Sequence, residues 1–68
     1  MQVNKQYKQL LEQLYPDRYI DMAGAGTFVT IALEDMEFEG LIEAREPGSL
    51  EYRLTPRGVW AKESTETT

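Results

Sequence analysis

The absence of cysteine and histidine from all 68 residues constrains this chain more than any residue it contains. A domain this small buries a modest core, and neither a disulfide nor a Cys/His zinc site is available to supplement it. Order must therefore come from compact packing of helices and hairpins, or from dimerisation. The same absence removes the Ser-His-Asp and Cys-His nucleophile arrangements and the zincin motif, so no enzyme, cofactor or metal centre is expected. At the usual size of a domain, one domain is expected over residues 1–62.

Hydrophobic periodicity supplies the elements. Val3, Tyr7, Leu10, Leu11 and Leu14 form one apolar stripe at helical period, with Lys5, Gln6, Lys8, Gln9, Glu12 and Gln13 on the other side. Pro16 biases Tyr15 away from helical geometry, which ends this first helix near Leu14. A second, short helix is expected from Asp17 to Ala23, its buried face made of Tyr19, Ile20, Met22 and Ala23, and stopped by Gly24-Ala25-Gly26. Thr27 is the expected N-cap of a third helix reaching Glu39, because Val29, Leu33, Met36 and Gly40 step by four, three and four residues. A strand over Phe28 to Leu33 is the competing reading.

Gly40 suits the left-handed position that closes a helix. Leu41 to Arg45 and Leu50 to Leu54 then read as two strands around Glu46-Pro47-Gly48-Ser49, whose Pro and Gly stand where a type II turn needs them. Thr55-Pro56 reads as N-cap and first residue of a short helix to Lys62, with Val59 and Trp60 turned inward. The polar tail 63–68 is expected to be disordered. Met1 to Asn4 is not followed by the apolar region of a signal peptide, and no apolar run approaches the roughly eighteen residues of a membrane span. A soluble, cytoplasmic protein without membrane contact is expected.

Val29-x3-Leu33-x2-Met36-x3-Gly40-Leu41-Ile42, followed after the hairpin by Tyr52-Arg53-Leu54-Thr55-Pro56-Arg57-Gly58, resembles the recognition helix and wing of MarR- and PadR-type winged-helix regulators. The resemblance covers residues 27–58. It implies a small α+β winged-helix-like domain of three helices, a two-stranded β-hairpin wing and a short C-terminal helix. It also implies that the start of the third helix enters the major groove, with basic residues there and at the wing touching bases and phosphates.

The chain departs from that pattern in charge. The groove-facing positions Thr27, Thr30, Ile31 and Glu34 include no Arg or Lys, and residues 21–46 carry a balance of −6 within a net charge of −5. Lys and Arg contacts to phosphate supply most non-specific DNA affinity, so a duplex would repel this helix. Lys5, Lys8, Arg53, Arg57 and Lys62 could form a phosphate-contacting edge or be ordinary solvated charges. Gly24-Ala25-Gly26-Thr27 lacks the lysine and the preceding strand of a phosphate cradle and reads as a turn. The acidic run Glu34, Asp35, Glu37 and Glu39 reads as a solvated face.

Ile31 and Phe38 lie off the Val29-Leu33-Met36 stripe. Either they tuck beneath the hairpin or first helix, or with Glu34 and Asp35 they form an exposed acidic and apolar face of the kind that contacts proteins. Two functions follow. One is a protein-interaction module acting on a protein partner or on a second copy in a homodimer, as a phage- or plasmid-type regulator, inhibitor or antirepressor would. The other is a dimeric transcription regulator binding DNA through its wing and basic edges, with Thr27 and Thr30 in the groove.

Overall fold

A computed structural model of the chain describes residues 5–66. It is a small α+β structure: α1 (Lys5–Gln13), β1 (Ile20–Asp21), α2 (Thr27–Phe38), β2 (Ile42–Ala44), β3 (Glu51–Leu54) and α3 (Pro56–Glu66). The three strands form one antiparallel sheet in the order β1-β3-β2. Ile20 pairs with Tyr52 and Asp21 with Glu51, while Ile42, Glu43 and Ala44 pair with Leu54, Arg53 and Tyr52.

The apolar stripe of α1 packs against both α2 and α3, and α2 in turn against β2. Leu11, Leu14, Leu33, Met36, Leu41 and Ile42 are the largest fully buried side chains. Tyr52 and Leu54 complete the core from the sheet, because alternate residues of a strand share a face. Val29 is half-buried at the margin of the core. Val3 lies outside the described residues.

At its C-terminus α2 closes in a Schellman motif. Gly40, at φ 81°, donates to the carbonyl of Glu37, and Leu41 donates to that of Met36. Leu41 and Met36 are both buried, the apolar contact that accompanies this closure. The hairpin turn is type II, with the Ser49 amide on the Glu46 carbonyl at 2.9 Å and Gly48 at φ 82°.

Thr55 joins three elements. Its hydroxyl accepts from the amide of Gly58 at 3.1 Å, capping α3, and donates to the carbonyl of Gly40 at the end of α2. Its own amide donates to the Leu41 carbonyl at 3.1 Å, at the entry to β2. Gly58 packs so closely on that carbonyl that a Cβ there would stand 1.9 Å from the Leu41 oxygen.

Five expectations are corrected. Asp17 to Ala23 is not a helix: the segment bends after Pro16 and runs beside β3, with Leu54 donating to the Tyr15 carbonyl and Met22 to that of Leu50. A helix this short gains too few internal bonds to outweigh pairing along an open strand. The sheet accordingly has three strands, where a two-stranded hairpin was expected. The N-cap of α2 is Gly26, with no side-chain cap, and Thr27 is already helical. Trp60 is 53% exposed, because Gly58 and Ala61 occupy the buried face of α3, Val59 packs at its margin, and Trp60 is turned away from that face. The last helix also continues past Lys62 to Glu66, so much of the expected tail is helical, while residues 67 and 68 lie outside the described residues.

Candidate functional site

The helix α2 has two apolar faces, and only one is used. Ala32, Leu33 and Met36 are buried, yet Phe28 is 82%, Ile31 50% and Phe38 93% exposed. At about 100° per residue, Ile31 and Phe38 fall within about 20° of one another, with Glu34 roughly 40–60° to one side and Asp35 roughly 40–60° to the other. Phe28 continues the stripe at the N-terminal end. The four anticipated interaction residues, Ile31, Glu34, Asp35 and Phe38, thus share one exposed face, and the tuck of Ile31 and Phe38 beneath other elements does not occur.

Phe28 belongs to this face and was not anticipated. The signal for it is the 3-4-3 spacing Phe28, Ile31, Asp35, Phe38, which the β-like run Phe28 to Ile31 obscures. The surroundings are acidic. Glu34, Asp35 and Glu37 in α2 and Glu39 at its cap face no Lys or Arg on the same helix. Their field reaches the core side: the Tyr7 hydroxyl is pushed up from its ordinary value by burial first and then by Asp35 and Glu39. Tyr52 is raised by burial first and then by Glu37 and Glu34.

The residues proposed to touch DNA are dispersed over four elements. Thr27 and Thr30 stand in the first turn of α2, where the Thr30 hydroxyl donates to the Gly26 carbonyl at 2.9 Å. Lys5 and Lys8 are exposed on α1, and Arg57 is exposed on α3. Arg53 is bound to the Glu43 carboxylate across the hairpin and lies 4.8 Å above the Tyr19 ring. Lys62 donates to the Leu14 carbonyl at 3.3 Å, just past the end of α1, a favourable place for a cation at the negative pole of a helix. It also stands 5.4 Å from the Tyr15 ring, which Arg18 covers at 4.1 Å. Two of the five basic candidates are therefore engaged internally.

Beside this basic and aromatic cluster, Pro16, Glu43, Arg53, Leu54, Pro56 and Val59 line an open cleft of about 420 Å³. Among the described residues no three Asp, Glu, His or Cys side chains come together as a metal set. Among them, too, no helix is long and apolar enough to cross a membrane. Compared with protein-family models, with curated proteins and with solved structures, the chain finds no match.

Proposed function

We propose that the chain is a winged-helix-like protein-interaction module without enzymatic activity, which docks a protein partner on the outer face of α2. The reading suits a regulator, inhibitor or antirepressor of phage or plasmid type. One observation carries it: Phe38, at 93% exposure, shares a helix face with Ile31 and Phe28 in a domain too small to have large apolar residues in excess. Large apolar side chains gathered on one face are the usual anchors of a protein interface. The winged-helix-like part of the reading is supported by the helix that leads directly into a hairpin and by the Thr55-Pro56 exit from it. The missing helix before the glycine turn departs from that pattern.

The test is a pair of variants. Ile31→Asp and Phe38→Asp should leave the melting temperature nearly unchanged, since both side chains meet solvent, and should abolish capture of the partner. The competing reading, DNA binding, is addressed by a salt-dependent duplex titration. With α2 acidic, non-specific affinity should be no better than about 10⁻⁴ M at physiological salt. Tight operator binding that is lost on changing Thr30 would overturn the proposal.

A further inference from the structure

The exposed face of α2 specifies the chemistry of what covers it. Phe28, Ile31, Asp35 and Phe38 repeat at spacings of three, four and three residues, the a and d positions of a heptad, so the surface is a short seam suited to a facing helix. Its second a position is filled by Asp35, and Glu34 borders the stripe.

A second copy of the chain fits this seam poorly. In an antiparallel pair centred on Leu33, Phe28 would meet Phe38, but Asp35 would meet Ile31 twice. The Glu34 side chains of the two copies would also be brought together along one edge of the pair, with no Lys or Arg in α2 to neutralise them. Like charges brought together at an interface oppose association, whereas opposite charges guide it and fix register. Resting on the interaction reading above, we infer that the occupant of the α2 seam is a basic amphipathic helix of another protein. Its apolar heptad residues pack on Phe28, Ile31 and Phe38, and it carries Lys or Arg opposite Asp35 and along the Glu34 edge.

The test uses two designed, fluorescently labelled three-heptad peptides with the same leucine seam. One is flanked by Lys and Arg, and the other by Glu. Fluorescence anisotropy should show binding of the basic peptide alone, weakening about tenfold or more between low and high salt as the charges are screened. Phe38→Ala should weaken it by roughly tenfold or more. The double variant Glu34→Lys, Asp35→Lys should transfer binding to the acidic peptide, with unchanged circular dichroism showing that the fold persists.

Equal binding of both peptides, lost in Phe38→Ala, would keep the docking face and overturn its charge selectivity. Binding of the basic peptide that ignores Phe38→Ala and Ile31→Ala would be diffuse attraction to an acidic surface and would overturn the seam. A dimer seen by sedimentation, dissociated by Phe38→Ala and blind to both peptides, would make the occupant a second copy. A monomer that binds neither peptide would end the inference, while partner capture lost in Phe38→Asp would still stand for the broader reading.

Discussion

Replacing Gly58 by alanine sets two effects of opposite sign against each other, and the structure decides which one wins. In the interior of a helix the change ordinarily stabilises by about 1 kcal/mol, because glycine carries the larger entropic cost. Here the new Cβ would meet the Leu41 carbonyl oxygen at 1.9 Å, its carbon at 2.9 Å and Leu54 Cδ2 at 3.3 Å. The first distance is roughly 1.5 Å short of ordinary contact, and the obstacle is backbone, so no rotamer change relieves it.

The N-terminus of α3 would have to lift away from β2, stretching the bonds from Thr55 to Leu41 and Gly40. Overpacking costs about 1–3 kcal/mol, and each disturbed hydrogen bond about 1 kcal/mol more. Less the gain in propensity, the net loss is about 2–4 kcal/mol, from a domain whose whole stability is on the order of 3–10 kcal/mol. The melting temperature, followed by circular dichroism, should fall by roughly 10–25 °C. Gly48→Ala is the control: it meets nothing within 4 Å, and its left-handed φ costs only about 1–2 kcal/mol. An unchanged or higher melting temperature for Gly58→Ala would refute the close approach of α3 to Leu41.

Three further outcomes are expected. Leu33→Ala, at a fully buried position, should destabilise by roughly 2–5 kcal/mol in urea unfolding, and an unchanged midpoint would reject α2 as a core element. Inserting two glycines after Gly48, at the exposed turn, should change stability by less than about 1 kcal/mol, and global unfolding would mean that the turn supports the core. Tyr7 and Tyr52 are both held above the ordinary value of 10.0, so their phenols ionise more readily in the unfolded chain. Their contribution is intact below pH 10 and is lost as pH rises through the folded values. Urea midpoints should therefore drop in alkaline solution, and Tyr52→Phe should reduce the slope.

Local signals in the sequence were reliable where neighbouring residues settle the structure. The stripe of α1, the Gly40 closure, the Pro47-Gly48 turn and the Thr55-Pro56 start of α3 each depend on a few adjacent side chains, and each stands where the pattern placed it. The strand β1 was illegible because its two residues are strand only through pairing with Tyr52 and Glu51, some thirty positions later. The periodicity of Tyr19, Ile20, Met22 and Ala23 is compatible with a helix until that partner is known.

Trp60 was misplaced by size alone, since its position on α3 follows from Gly58 fitting against Leu41. Ile31 and Phe38 were legible as a candidate site because they fall off the core stripe. The engagement of Arg53 by Glu43 and of Lys62 by the Leu14 carbonyl was not, because it depends on which elements the fold brings together.

The shortness of the outer strands has a consequence for unwanted association. Among the described residues β1 and β2 are the outer strands of the sheet, and β1 offers two residues and β2 three, less than a foreign strand needs for a stable ladder. Charged residues add to the protection, with Asp21 on β1, Glu43 on β2 and Arg45 immediately after it. Edge-to-edge growth, the common route from a small sheet to aggregates, is therefore blocked at both sides. The large exposed apolar groups of α2 sit on a helix whose backbone bonds are already satisfied within it, so contact there must be won through side-chain shape and charge. The sticky surface of α2 is thus carried beside outer strands too short to polymerise through their backbone.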